Sequence, residues 1–279
     1  MFKLIYKDLG ISSNKAINIF KKENNINKIG HTGTLDVLAQ GLLLLATDDD
    51  TKLIPYISNK EKEYKVIAKL GFISKTYDSE GPITFFSKKI PSEQEVFQVV
   101  NSFIGKIKQK PPIYSSKKIN GKKAYELARK NKEVRLKEIS IEIFDIFDIK
   151  YKYPFIEFKS HVSNGTYIRT LVDDIGKKLE TGAYVTFLER IMISGLRLND
   201  QVNIDNLIKL KKIFINDKKE LIDFFNGKIK KLNKEDDTYL LEFNGNCIGV
   251  IEINNGIIIK NNLFGNKIKK ILEERTINK

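Results

Sequence analysis

The sequence predicts a mixed α/β fold in which strands outnumber helices, completed by a small β unit at the C-terminus. Three patterns carry this expectation. Tyr64, Val66, Ala68 and Leu70 alternate with Lys65 and Lys69, the period-two signature of a half-exposed strand. Ile168, Leu171, Val172, Ile175 and Leu179 recur at i, i+3, i+4, i+7 and i+11, one apolar face of a helix. Finally, Asn244-Gly245 and Asn255-Gly256 separate the short apolar runs Tyr239 to Phe243, Ile248 to Ile253 and Ile257 to Ile259, as hairpin turns separate strands.

The other elements follow in chain order. A short strand is expected around Phe2 to Tyr6, then a helix opened by Ser12 or Ser13, because a hydroxyl accepts from the free N–H groups of a first turn. After the loop Gly30 to Asp36, the run Leu42 to Ala46 reads as a buried strand. Ser92 and Glu95 form a capping box ahead of Val96, Val99, Val100 and Phe103 at helical spacing, stopped near Gly105. Asn120-Gly121 reads as a hairpin turn, Ala124 to Lys130 as a short helix, and Leu136 to Ile149 and Pro154 to Ser163 as two strands. Tyr167 and Arg169 fall in the first turn of the later amphipathic helix, off its core stripe. Lysine-rich helices are expected up to about Asn226, where helical patterning gives way to strand patterning. This divides the chain into residues 1–226 and 227–279.

A chain of 279 residues can bury a substantial core, and 49 Lys and Arg against 35 Asp and Glu give a net charge of +14. Such a field favours polyanionic partners, nucleic acid first. One cysteine, Cys247, and two histidines, His31 and His161, are too few and too scattered for a zinc site or a disulfide framework, so a reducing cytoplasm is expected. The longest apolar stretch, Leu42 to Ala46, is far below the roughly 20 residues that span a bilayer, so no membrane role is expected. No Walker pattern and no GxGxxG occur, which argues against a nucleotide cofactor. The remaining chemical tools are carboxylates, tyrosines and arginines.

Asp36 lies just after a glycine-containing turn, a place where a scaffold presents a loop carboxylate, and equally a place where Asp caps a helix. Its surroundings bear on this choice. Gly30-His31-Thr32-Gly33-Thr34-Leu35-Asp36-Val37-Leu38-Ala39-Gln40-Gly41-Leu42-Leu43 resembles the GHxGTLDPxAxGxL motif of the TruB family of pseudouridine synthases. Four further segments agree in order: Lys7 with Gly10, Ser12 and Ser13; Lys62 to Gly71; Gln109 to Ser115 and on through Gly121 to Arg129; and Gly165 to Leu171. The resemblance covers roughly residues 1 to 195. It departs at Asp8 and Val37, where the family usually has Pro, at Lys75, where an acid is common, and at Glu189, in place of a frequent arginine.

The resemblance implies a catalytic domain with a largely antiparallel central sheet over residues 1–226 and a module similar to PUA domains over 227–279. It implies a cofactor-independent isomerase, without metal, converting uridine 55 in the T loop of tRNA to pseudouridine. It also implies the site residues: Asp36 as nucleophile, Arg169 as its ion-pair partner, and Tyr64 and Tyr167 as aromatics of the uracil pocket. Leu188 becomes an apolar pocket residue, His31 stands near the displaced base, and Lys7 is expected at the substrate. A monomer acting on the T arm is expected.

These residue types suit the chemistry. The reaction breaks the bond from ring nitrogen to sugar, turns the uracil and rejoins it through a ring carbon. An ionised carboxylate serves as nucleophile or stabilises the sugar cation, and a guanidinium holds it charged in a dry pocket. The base must leave its stack, so an aromatic such as Tyr64 packs on its face and its hydroxyl is available for the final proton removal. Lys117, Lys118, Lys122 and Lys123, beside Tyr114 and Tyr125, form a basic and aromatic segment suited to phosphate contact or to simple solvation. Two rival readings remain open: a tRNA-binding or tRNA-folding module without turnover, and a pseudouridine synthase acting on another RNA.

Overall fold

The computed structural model describes residues 1–115, the backbone at 118–119 and 122–123, and residues 136–273. The first half contains β1 (Phe2–Lys7), α1 (Ser13–Glu23), β2 (Ile29–His31), β3 (Ala39–Thr47), a 3-10 segment (Asp48–Tyr56), β4 (Lys62–Leu70), β5 (Phe72–Ser74), β6 (Ile83–Phe85), α2 (Glu93–Asn101) and β7 (Gly105–Gln109). Next come β8 (Lys118–Ile119), β9 (Lys122–Lys123), β10 (Ile139–Lys152), β11 (Phe155–Val162), α3 (Ile168–Lys178), β12 (Ala183–Ile193) and β13 (Leu196–Arg197). The last third holds α4 (Ile204–Leu207), β14 (Lys211–Ile215), α5 (Lys218–Phe225), β15 (Asp237–Phe243), β16 (Asn246–Asn254), β17 (Ile257–Leu263) and α6 (Gly265–Glu273). Among the described residues no helix is long and apolar enough to cross a membrane.

The central sheet runs β1-β3-β12-β4-β11-β10-β7, with β2 on β3 and β13 on β12. It is the mixed, largely antiparallel sheet expected: of its pairings only β3 with β12 is parallel. The apolar run of β3 has a physical reason. Successive side chains of a strand point to opposite faces, and here both faces are covered. Leu43 and Leu45 join a core under α2 and α3, while Leu42, Leu44 and Ala46 join a second core on the other side. The strand therefore cannot alternate with polar residues.

The helices begin where the caps predicted. The Ser12 hydroxyl accepts from the Lys15 amide and that of Ser92 from the Glu95 amide. Two glycines are demanded by close approach. Gly41 has φ +112°, and a Cβ there would stand 2.3 Å from the Arg190 carbonyl oxygen across the parallel pair. In α3, a Cβ on Gly176 would stand 2.3 Å from the Ala183 amide nitrogen at the start of β12.

The second sheet runs β14-β15-β16-β17, and its hairpin turns Asn244-Gly245 and Asn255-Gly256 take the positive φ values of such turns. It fits the small PUA-like β module. Residues 211–215, expected within lysine-rich helices before residue 226, form β14, a strand parallel to β15. Ile213 and Ile215 share a core with Leu221, Phe224, Leu241 and Ile251, so α5 belongs to this sheet too. The patterning around Lys209, Lys211 and Lys212 concealed the strand, because the lysines are held by acids across it: Lys212 reaches Asp205 and Glu242, each at 2.8 Å. The hairpin expected around Asn120-Gly121 is visible as β8 paired antiparallel with β9. The expected helix from Ala124 to Lys130 lies outside the described residues.

Candidate active site

A cavity of about 200 Å³ opens where β4, β12 and the start of α3 meet the loop between β2 and β3. Its wall includes Asp36, Tyr64, Tyr167, Arg169 and Leu188. Residues far apart in sequence are brought together, and each is held in place by its element.

Asp36 caps no helix. It precedes a turn at Val37 and Leu38 that leads into β3, and its carbonyl accepts from the Ala39 amide at 3.1 Å. The loop is clamped from behind by Ser13, whose hydroxyl accepts from the Leu35 amide and donates to the Leu35 carbonyl, both at 2.8 Å. The carboxylate remains 40% exposed on its pocket side.

Arg169 faces it. Its Nε lies 2.8 Å from Asp36 Oδ2, Nη1 donates to the Thr76 carbonyl at 2.8 Å and to Asp78 Oδ2 at 3.1 Å, and Nη2 donates to the Tyr114 carbonyl at 2.8 Å. Four of the five guanidinium donors are thus engaged. Arg169 is off the helix's core stripe, as its spacing predicts, but it is only 4% exposed, because residues 76–78 and Tyr114 cover it. Asp78, 1% exposed, is itself fixed by the Thr76 hydroxyl at 2.5 Å and the Glu80 amide at 2.9 Å. A buried guanidinium between two carboxylates, with carbonyls filling its remaining plane, is a rigid support for a charged Asp36.

The aromatic wall has equally specific supports. Tyr64 is buried on β4, opposite Arg190 of β12 and Ser160 of β11. Tyr167 ends the loop before α3, its amide donating to Gln109 Oε1 at 2.8 Å and its carbonyl accepting from Gln109 Nε2 at 3.0 Å. Burial raises the Tyr167 hydroxyl above its ordinary pKa. Leu188 sits between Ala39 and Val66 across the sheet.

Other expected residues stand elsewhere. His31 ends β2, half-buried and outside the cavity wall, with Nδ1 unpartnered and its pKa lowered chiefly by burial. Lys7, expected at the substrate, does not line the cavity. It is fully buried, its ammonium donating to the Ile11 carbonyl at 2.7 Å and the Asp8 carbonyl at 3.0 Å, and burial lowers its pKa. It ties down the chain ahead of α1. Lys117 and the side chains of Lys118, Lys122 and Lys123 lie outside the described residues. Glu189, at a position unusual for the family, accepts from the Tyr6 hydroxyl at 2.6 Å.

Sequence reasoning missed Asp78, Lys62, Asn164 and Arg190. The last three line the cavity. A signal existed for two of them: Lys62 lies two residues before Tyr64 on one strand and Arg190 two after Leu188 on another, the spacing that shares a face.

The chain is similar to known proteins in sequence and in fold. Residues 21–168 match the family described as TruB family pseudouridylate synthase, N-terminal domain. The tRNA pseudouridine synthase B of Mycoplasma mobile is 43% identical over 99% of this chain and 98% of its own, and that of Thermosipho melanesiensis 33% identical over 98% and 99%. Among solved structures, a chain from a crystal structure of a Cbf5–Nop10–Gar1 complex superimposes with a TM-score of 0.64 at 18% identity. It covers 94% of this chain and 84% of its own, a likeness of fold. With the sequence match running through the loop of Asp36, β4 and the start of α3, the chain belongs to the TruB family of pseudouridylate synthases.

Proposed function

We propose that this protein is a tRNA pseudouridine synthase that isomerises uridine 55 in the T loop, with Asp36 as nucleophile. One observation carries the reading: a half-exposed carboxylate at the cavity wall, 2.8 Å from a buried arginine whose Nη1 and Nη2 are themselves held by Thr76, Asp78 and Tyr114. The names of the relatives support tRNA as substrate. The target uridine leaves its stack and enters the cavity, where Tyr64 packs on the ring and Leu188 and Tyr167 complete the walls.

The Asp36 carboxylate attacks the sugar carbon as the bond to the ring nitrogen breaks, and the electron pair departs with the uracil. Arg169 keeps Asp36 ionised and aimed. The uracil turns, its ring carbon bonds to the sugar carbon, and Asp36 leaves. The proton on that ring carbon is then lost while the ring nitrogen freed from the sugar takes one up, and the Tyr64 hydroxyl is assigned the first transfer, passing its own proton on as it accepts. His31 occupies the space near the displaced base, and the lysines at 117, 118, 122 and 123 meet phosphates, as does the C-terminal unit. The net charge of +14 suits this. A monomer in the cytoplasm completes the reading.

The test is incubation of purified protein with an unmodified tRNA transcript, followed by carbodiimide-blocked primer extension. Conversion of the T-loop uridine is expected. Asp36→Asn keeps shape and removes charge, so turnover falls by roughly a thousandfold or more while tRNA affinity changes little. A fully active Asp36→Asn protein would sink the mechanism. Binding without conversion by the unaltered protein would favour the tRNA-folding alternative.

A further inference from the structure

Two cations converge on the cavity, and among the described residues no acid pairs with either. Lys62, 7% exposed on β4, donates from Nζ to the Lys60 carbonyl and to Asn164 Oδ1, each at 2.9 Å. An ammonium has three donors, so one remains for the cavity. Arg190, 1% exposed on β12, donates from Nε to the Leu42 carbonyl at 2.7 Å and from Nη2 to the Gly33 carbonyl at 3.0 Å. Its Nη1 makes no hydrogen bond to the described residues.

Gly33 marks the hollow between them. A Cβ built there would lie 3.5 Å from Lys62 Cε and 3.6 Å from Arg190 Nη1, and would meet nothing else within 4 Å. The two charges are close enough to act on each other: Lys62 loses its proton at about 8, driven first by burial and next by Arg190. Both residues line the same cavity as Asp36, yet Asp36 has its own cation in Arg169.

A buried lysine whose partners are all neutral carries a desolvation cost that an apolar residue of its length would not. The charge therefore calls for an anion that arrives from outside. Uracil enters neutral, whereas every nucleotide in a strand brings a phosphodiester of permanent charge within reach of its own base. We infer that Lys62, Arg190 and the hollow at Gly33 form a subsite for the phosphodiester adjoining the nucleotide whose base enters the cavity. The inference rests on the RNA-modifying reading above and adds to it a contact at one backbone linkage.

The experiment uses the full-length protein and a T-arm stem-loop with a single uncharged methylphosphonate on the 5′ or the 3′ side of the target uridine. Each RNA has a 2′-deoxy sugar at that linkage to keep it intact, and charged 2′-deoxy RNAs serve as controls. With the unaltered protein, one of the two neutral linkages should weaken binding roughly tenfold, the range of a charge-assisted hydrogen bond. In Lys62→Gln the same linkage should cause no further loss, and the salt slope on natural RNA should fall by about one.

Gly33→Ala provides a second route. Its methyl group meets the folded protein only at ordinary contact distances, so the variant should melt normally yet show the same loss of linkage dependence. If the effects of variant and linkage multiply independently, or neither linkage matters, the subsite is overturned. Pseudouridine is scored in the same samples. A protein that forms none in natural RNA refutes the parent reading, while linkage-specific binding that vanishes in both variants would still uphold the subsite.

Discussion

Arg169 spends its donors on two carboxylates and two carbonyls, so the residue behind it is as exposed to test as Asp36 itself. Asp78→Asn removes one charge from a buried pair and should lower stability by about 3 kcal/mol. Turnover should fall with it while tRNA affinity changes little, as read by urea denaturation beside single-turnover conversion. Arg169→Lys keeps the charge but loses the planar fork, so it should impair turnover as well. Lys62 makes a prediction of opposite sign. Its folded pKa of about 8 lies below the ordinary lysine value of 10.5, so the unfolded chain binds its proton more tightly. The resulting penalty on folding is full below pH 8 and disappears as pH rises towards 10.5. Lys62→Met should therefore be more stable at pH 7 by on the order of 3 kcal/mol, with the gap closing in alkali. A pH-independent gap would contradict this. At this scale, the resemblance supplied Asp36, Tyr64, Tyr167, Arg169 and Leu188, which share one cavity. Asp78 and the carbonyls around Arg169 were invisible because they meet it across 55 to 93 positions of chain, a pairing that no local spacing encodes.

The elements that read most clearly are those whose pattern is set by their own neighbours. Caps at Ser12 and Ser92, the alternation of β4 and the Asn-Gly turns are local chemistry, and each stands where the sequence put it. Strand β14 is the counterexample. Its identity depends on a parallel partner, β15, and on acids that hold its lysines, none of them adjacent in sequence. The contact between α3 and β12 offers a test of the same principle. Alanine is the better helix former, yet Gly176→Ala would place its methyl against the backbone at Gly182 and Ala183. Overpacking should win, at about 1–3 kcal/mol. Because α3 carries Arg169, conversion should fall alongside the urea midpoint. A stabilised, fully active Gly176→Ala protein would show that α3 can shift freely.

For the whole molecule, the question is whether the second sheet is a detachable appendage. Leu240, Val250 and Phe264 share a core with Leu42, Leu44 and Leu53 of the first unit, and Lys267 reaches Asp50 at 2.9 Å. A chain ending at residue 226 would uncover that core, so it should lose cooperative unfolding and solubility, beyond any weakening of RNA binding. A soluble, cooperatively melting truncation would show the units to be independent. On the intact protein, the +14 charge predicts tRNA affinity that declines steeply with salt, and a flat dependence would count against phosphate contact. The two-faced strand β3 has a final consequence. Feeding separate cores from opposite sides, it cannot open until both have given way, so its amide hydrogens should be among the last to exchange with deuterated solvent. Asp36 lies only a short turn before that strand. The carboxylate is thus moored to the slowest-opening part of the chain, and the rise of activity with temperature should continue until global melting ends it.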